Sequence, residues 1–581
     1  MAIFRYVECR AWAWSVEHPQ RRLTLASPPS SIVMFPLNFL ALLSAVLVGH
    51  VACQTSTYFE SGVPTDAPVP GIYTGQYRPR VHFSPPQHFM NDPNGMFKDA
   101  DGLWHLYYQY NPKTSVAGDQ HWGHATSKDL YTWDNQKIAL WPPTNTTYVY
   151  SGSAVVDKNN TSGFFPHQDN GVVAIYTLAV YTDHAGVQNQ NIAYSRDGGY
   201  NFETYANNPV IDINSTQFRD PKVFWHAPTE KWVMVLAYSA EFVIGLYTSP
   251  NLKDWSHASN FTHHGLLGLQ YECPNLVEMP LQGSDEPMYL LQISINPGAP
   301  LGGSIAQYFP GTFNGTHFTA VDGAARIADF AKDNYAGQFF SGITGSEKQV
   351  SIAWASNWQY TSVVPTGSEG WRSQMSLPRY NYLKKASQIG YVMVSEPYNI
   401  ETVYSGELAY NTSLGNSSIL IDYSHVPSGA LYFEANVTGL TTSTLQGMVN
   451  FTFMSSVSGE YVRGGSPVNG DTWLDRGHTY AFDNPYFNDK FSATGTYGDD
   501  GIWRVSGVID RSIIELFVNG GEQSATSLFF AKQPLDTVRI GAAGIAPDAK
   551  VSVGVWALKD TWAEQANANG TVVGNLTMSS Y

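Results

Sequence analysis

Apolar and polar residues alternate in short runs along most of the chain, and clusters of Gly, Pro, Asn and Asp interrupt the runs at short intervals. Stretches such as Leu431-Tyr432-Phe433-Glu434-Ala435, Ile514-Glu515-Leu516-Phe517-Val518 and Val551-Ser552-Val553-Gly554-Val555 have the period of two expected of half-buried strands. Long Leu/Ala/Glu/Lys tracts with a helical period are absent, so the pattern predicts an all-β protein. From about Gln76 to Pro397 the runs form an irregular repeat. Ser127-Lys128-Asp129-Leu130 leads to Trp133, Ser195-Arg196-Asp197-Gly198 to Phe202, and Ser249-Pro250-Asn251-Leu252 to Trp255. Each unit reads as a strand, a polar turn and a strand closing on an aromatic. A second series runs through Asp92, Ser151-Gly152-Ser153, Asp220, Glu272 and Gln338-Phe339-Phe340-Ser341. Its spacing of roughly 50 to 70 residues is about one four-stranded blade, and its members predict a five-bladed β-propeller over residues 76–398. Innermost propeller strands surround one axial cavity, so Asp92, Asp220 and Glu272 are expected to converge. Two β-sandwiches with coincidental spacing are the competing reading.

After residue 398 the pattern changes. Residues 399–410 read as a linker, 411–560 as a β-sandwich with a hairpin signal at Asn519-Gly520-Gly521, and 561–581 as a polar tail. At the other end, the apolar stretch from Phe35 to Gly49 is too short to span a bilayer and is followed by small residues. Residues 1–53 therefore read as an N-terminal extension with a secretory signal cleaved near Cys53. Met34 is an alternative start, and a retained membrane anchor is the competing reading. Residues 54–75 form a short N-terminal segment before the propeller.

Cleavage leaves Cys273 as the sole cysteine, so no internal disulfide is expected. Frequent Asn-x-Ser/Thr sequons, among them Asn145, Asn260, Asn314 and Asn436, fit an exported glycoprotein of the extracellular space or cell wall. The 581 residues carry a net charge of −16 without a Lys/Arg cluster, which excludes a phosphate-backbone partner and favours a neutral, hydrogen-bonding ligand. No nucleic-acid partner is expected, and no membrane partner after signal cleavage.

Three acids stand in distinctive company. His88-Phe89-Met90-Asn91-Asp92-Pro93-Asn94-Gly95 ends an apolar run on a carboxylate followed by turn residues, which alone read as an ordinary turn between strands. In Gln217-Phe218-Arg219-Asp220-Pro221, Arg219 is expected to keep Asp220 ionised, or to form a structural ion pair with it. In Tyr271-Glu272-Cys273-Pro274, weakly polar neighbours are expected to raise Glu272 from ~4.3 toward ~6, as a proton donor requires. Cys273 reads as a packed small hydrophobe that also tunes Glu272. No Cys/His ligand cluster is present, so neither metal nor cofactor is expected, and His121 and His124 read as structural.

In this order, Asn91-Asp92-Pro93-Asn94-Gly95, Phe218-Arg219-Asp220-Pro221 and Tyr271-Glu272-Cys273-Pro274 resemble the acidic motifs of glycoside hydrolase family 32, the invertases, inulinases and fructosyltransferases. The yeast-type extracellular invertases are the most similar group. Tyr108-Gln109-Tyr110-Asn111-Pro112, Trp122-Gly123-His124-Ala125, Tyr150-Ser151-Gly152-Ser153, Trp354-Ala355-Ser356-Asn357-Trp358 and Asp510-Arg511-Ser512-Ile513-Ile514-Glu515-Leu516-Phe517 extend the resemblance from about Arg78 to Leu558. It implies a propeller followed by a sandwich, with Asp92 as nucleophile, Glu272 as acid/base and Asp220 as transition-state stabiliser. Asn91, Gln109, Tyr150, Ser151, Arg219 and Trp358 fall at fructose-binding or pocket-wall positions. The implied chemistry is retaining cleavage of sucrose and other small fructosides, with water or a second sugar as acceptor and the two reacting carboxyls ~5–5.5 Å apart. Yeast-type relatives often associate through their sandwiches, which makes a homo-oligomer through residues 411–560 an expectation.

Two positions depart from the family pattern. Phe89 and Ala117 stand where the family usually has Trp, and losing those indoles is expected to widen the sugar pocket. A fructan hydrolase, a hydrolase of another furanoside and a non-catalytic carbohydrate-binding propeller are the competing functions. The last has no use for both a nucleophile and a proton donor.

Overall fold

The computed structural model describes residues 60–562, apart from 183–184, 345, 387–388, 469 and 495–499. The signal segment and all of the tail beyond Trp562 lie outside the described residues. Strands follow one another through the whole described chain, broken only by short 3-10 turns. They form five sheets of four or five strands, then two of six.

The five smaller sheets are the propeller blades. Their innermost strands are His88–Lys98, Thr147–Val156, Phe218–His226, Tyr271–Met279 and Tyr335–Phe339, and each blade is built outward from these by antiparallel pairing. The repeated Ser-x-Asp/Asn turns join the third strand to the last in blades one to three. In each, the serine hydroxyl bonds the acidic or amide side chain two residues on: Ser127 to Asp129, Ser195 to Asp197 and Ser249 to Asn251. That geometry is an Asx/ST-type turn, which explains why the motif recurs. The ring closes where Trp371-Arg372 pairs in parallel with His88-Phe89, and where Phe97 bridges Ser341.

Every innermost strand is bulged near one level. In blade one Met90 faces Tyr110 and Pro93 faces Tyr108, so Asn91 and Asp92 share Gln109. The same two-against-one slip separates Val149 from Gly152, Arg219 from Lys222, Glu272 from Asn275, and Tyr335 from Gln338. The Pro-Asn-Gly sequence that reads as a turn is therefore part of one continuous strand with two bulges, the second between Asn94 and Phe97. Proline is tolerated in an inner strand because a bulge demands no ladder N–H from it. Gly152 is required for another reason: a Cβ there would lie 2.1 Å from the carbonyl oxygen of Ile175.

The two six-stranded sheets stack as a sandwich around an apolar core that includes Phe433, Phe451, Phe453, Trp503 and Val553. Two boundaries differ from expectation. Tyr404–Asn411, expected mostly as linker, is the edge strand of the sandwich, paired with Lys550–Leu558. Trp562, expected in the tail, is buried and stacks on Tyr73 at 4.2 Å, tying the end of the sandwich to the N-terminal segment.

Propeller and sandwich are clamped by buried charge. Asp510 accepts the backbone N–H groups of Arg80, Val81 and His82 and bonds the His82 ring at 2.9 Å. Glu515 lies 3.3 Å from the other His82 nitrogen and 2.6 Å from Arg379, which also reaches Asp329. Burial alone pushes the His82 ring down, but its bonds to Asp510 and Glu515 overcome this and hold it up at about 9, whereas an unfolded histidine sits near ~6.5. The stability that His82 contributes is thus fully present below ~6.5 and lost as pH rises through about 9. His82→Leu strands two buried carboxylates and should cost ~3–5 kcal/mol. Thermal melts across that range should show the wild type losing stability with rising pH and the variant, already destabilised, losing less. Equal pH dependence in both proteins would contradict this role for His82.

Candidate active site

The five bulges place equivalent tetrapeptides around one end of the propeller axis: Asn91-Asp92-Pro93-Asn94, Tyr150-Ser151-Gly152-Ser153, Arg219-Asp220-Pro221-Lys222, Glu272-Cys273-Pro274-Asn275 and Tyr335-Ala336-Gly337-Gln338. The first member of each is polar, and the second turns inward with the bulge. Asp220, Cys273 and Ala336 have left-handed backbones, with φ of 66°, 47° and 51°. Such strain is characteristic of functional sites. It turns their N–H groups away from their own ladders and toward the preceding blade: Asp220 N–H donates to Thr177 Oγ1, Cys273 N–H to Asp220 Oδ2, and Ala336 N–H to Ser294 Oγ.

Asp92, Ser151, Asp220 and Glu272 meet here. Ser151 Oγ donates to Asp92 Oδ2 at 2.7 Å and Asn91 Nδ2 to Asp92 Oδ1 at 3.1 Å, so both carboxylate oxygens are held. Burial pushes the Asp92 carboxyl up, and its hydrogen bonds to Ser151, Asn91 and Cys273 pull against that shift. The Cys273 thiol lies 3.5 Å from Asp92 Oδ2 and 3.5 Å from Asp220 Oδ2. Burial pushes its own pKa far up, which leaves it a neutral donor bridging the two aspartates. Its neighbour in space is thus not Glu272, the residue it was expected to tune.

Arg219 also reaches further than its sequence neighbours suggest. Its guanidinium pairs with Glu272 Oε1 at 3.0 Å, not with the Asp220 side chain, and is held by Gln188, Gln217 and Gln270 at 2.9–3.3 Å. The other oxygen of Glu272 accepts the Tyr335 hydroxyl. Glu272 therefore sits between a cation and a phenol, not among the weakly polar groups beside it in sequence. Asp220, expected to be kept ionised by Arg219, is pushed up to about 7 by burial. The Arg219 charge offsets part of this, and Glu272 and Asp92 add to it.

Gln109 is buried opposite the Asn91-Asp92 bulge and donates to the carbonyl of Val149. Tyr150 is half-buried, its hydroxyl 2.7 Å from that of Tyr181. Trp358 packs on Trp354, with ring centroids 4.8 Å apart. Phe89, expected to leave a gap in the sugar wall, is fully buried behind Trp354 and Trp358 and offers the cavity no surface of its own. Ala117, in contrast, is exposed on the loop after Asn111. His121 pairs with Glu60, and His124 stacks on Tyr107 and His105. Among the described residues no group of three His, Cys, Asp or Glu side chains is arranged to hold a metal ion.

Tyr335, Gln188 and Gln270 lie outside the acidic motifs, and Gln217, at the head of one, carries no catalytic signal there. The likeness of Tyr335-Ala336-Gly337-Gln338 to Tyr150-Ser151-Gly152-Ser153 is the sequence signal for the first. The glutamines come from separate loops and strands and carry no common signal.

Both domains have known counterparts. Residues 82–397 match the glycosyl hydrolases family 32 N-terminal domain and residues 407–557 the family 32 C-terminal domain. The chain is 42% identical over 492 residues to invertase 2 of Saccharomyces cerevisiae, covering 78% of this chain and 89% of that one. It is 41% identical over 471 residues to the extracellular exo-inulinase of Meyerozyma guilliermondii, covering 78% and 90%. A variant fructofuranosidase from Schwanniomyces occidentalis, solved in complex with fructosylnystose, superposes with a TM-score of 0.77 at 36% identity, covering 85% and 99%.

The elevated Asp220 is directly measurable. Unfolded aspartates titrate near ~3.9, so the stability tied to protonated Asp220 is fully present below that pH and lost as pH rises through about 7. Infrared difference titration should show a protonated carboxyl in wild type at pH 6 that is missing in Asp220→Asn, and the variant should lose less stability between pH 4 and 7. An unchanged carboxyl band in the variant would contradict the assignment.

Proposed function

The chain belongs to glycosyl hydrolase family 32, and from that membership we propose that it is a secreted β-fructofuranosidase. It cleaves terminal β-D-fructofuranosides with retention, sucrose foremost, and transfers fructosyl units to sugar acceptors. The observation that carries the reading is the meeting of Asp92, Asp220 and Glu272 at one end of the axis, each held differently.

In this proposal Asp92 is the nucleophile. Ser151 and Asn91 fix its oxygens, which removes the orientational cost of attack. Glu272 gives its proton to the glycosidic oxygen as the bond from that oxygen to the fructose anomeric carbon breaks. A bond from an Asp92 oxygen to that carbon forms, leaving a fructosyl ester and free glucose. The resulting Glu272 carboxylate is received by Arg219 and Tyr335. It then takes a proton from water or a sugar hydroxyl, whose oxygen attacks the same carbon and releases Asp92. In the same proposal Asp220 is the transition-state stabiliser and bonds fructose hydroxyls through its buried carboxyl. Gln109, Tyr150, Arg219 and Trp358 complete the polar and aromatic wall.

A longer fructan is the second substrate to consider. An exo-inulinase is among the relatives, and Ala117, where the family usually has Trp, is exposed. Pure carbohydrate binding is disfavoured because it needs no fixed nucleophile beside an acid.

Glucose release from sucrose tests the proposal. Asp92→Ala should abolish release, and Glu272→Gln should lower kcat on sucrose by ~10²–10⁴ while sparing only the first, ester-forming step of substrates with good leaving groups. Tyr335→Phe should lower kcat more than it changes KM. Undiminished release by Asp92→Ala would overturn the reading. At high sucrose, free glucose should exceed free fructose, and equal yields would rule out transfer.

A further inference from the structure

Beyond the acids, the axis carries a third ring of side chains: Asn94, Ser153, Lys222, Asn275 and Gln338, one from each inner strand and all buried. Four are neutral and bond across the ring. Asn94 Oδ1 accepts the Gly152 N–H, Ser153 Oγ accepts the Val223 N–H and donates to Pro221 O, Asn275 donates to Gly337 O, and Gln338 to Gly152 O. Lys222 is different. It is 5% exposed, and its ammonium reaches across from blade three to donate to Phe339 O of blade five at 2.5 Å. An ammonium has three donors and a full charge, and one carbonyl neutralises neither. Burial alone pushes its pKa down to about 7, and no neighbouring carboxylate pulls it back. Among the described residues, no acid lies within ion-pair distance of it.

Lys222 also lines a cavity of 390 Å³ at the end of the axis opposite the acids. The walls are continuations of the inner strands, with Phe97, Phe224, Leu276 and Phe339 prominent among them. The size is that of a small-molecule pocket, and the wall is mostly apolar, with Lys222 its one buried cation. The other charged groups on its wall do not compensate Lys222. Asp157 is engaged by Thr161 and Ser162, and Lys98 lies over the Trp104 ring. Lys158 adds a like charge, and Glu278, whose carboxyl burial pushes up, forms no ion pair with Lys222.

We propose that this cavity is a second ligand site, anchored by Lys222, for a small monoanion with an apolar body, of the class of medium-chain or aromatic monocarboxylates. One cation calls for one negative charge. A phosphate would bring a second charge beside the one buried cation, and a sugar would bury hydroxyls against a mostly apolar wall. The site is separate from the acids, which lie on the other side of the Pro/Gly step in each inner strand.

Isothermal titration of the full chain with octanoate, benzoate and the neutral isostere octanamide tests the proposal. Octanoate or benzoate should bind one per chain, and octanamide at least tenfold more weakly. Lys222→Met, near-isosteric and uncharged, should weaken carboxylate binding at least tenfold. Ile343→Trp, which adds bulk at a loop position on the cavity wall and leaves Lys222 in place, should also weaken it. The proposal is overturned if neither carboxylate binds, if octanamide binds equally well, or if folded Lys222→Met retains the wild-type affinity. Should Lys222→Met fail to fold, unaltered carboxylate binding by Ile343→Trp overturns it.

Discussion

A strand that runs straight toward a propeller axis points alternate side chains to either face and presents little to the cavity at its end. Breaking that alternation in all five inner strands, near one level, is the constraint on which the rest of this structure depends. Each slip sets two residues against one on the neighbouring strand and re-aims a side chain inward. Three of the bulges hold non-glycine residues in left-handed conformations, at a cost of about 1 kcal/mol or more each. That strain persists because the freed N–H groups find acceptors on the preceding blade, one of them the Asp220 carboxylate itself. The bonds that relieve the bulges thus also orient the acids.

The remainder of the fold keeps this ring closed. Parallel pairing of Trp371-Arg372 with His88-Phe89 fixes blade one, whose bulge carries Asp92, at the seam of the propeller. The sandwich grips the N-terminal entry to the same blade through Asp510 and His82, and reaches blade five through Glu515 and Arg379. Breaking a buried pair leaves an uncompensated charge, so these contacts penalise slippage between the two domains. The acid cluster exerts the opposite pressure, since burying three carboxylates together raises Asp92 and Asp220. Arg219 and the neutral Cys273 thiol moderate that repulsion from different sides.

The fold class was legible because period-two runs and turn clusters are local signals, and the acids were legible because three short motifs occur in order. The meaning of Pro93-Asn94-Gly95 was not. Its residues favour a turn, and only pairing with Trp104–Asn111 makes them a double bulge. Electrostatics were read least well, because sequence neighbours stood in for spatial ones. Arg219 adjoins Asp220 in the chain yet pairs with Glu272, and Cys273 adjoins Glu272 yet touches Asp92 and Asp220. The side chain following a bulge points where the bulge sends it. Tyr335 follows the same rule: its place at Glu272 depends on a blade whose inner strand lacks an acid. Phe89 illustrates a further limit: its identity is visible in sequence, but its position behind Trp354 and Trp358 is not.

In the proposed mechanism Asp92 is the residue that bonds to the sugar. Rapid quenching of a Glu272→Gln variant with a fructoside bearing a good leaving group, followed by peptide mass spectrometry, tests this directly, since the variant should form the ester readily and release it slowly. One fructosyl unit on the peptide containing Asp92 is the predicted result. A fructosyl unit on Asp220, or turnover with inversion and no adduct, would contradict it.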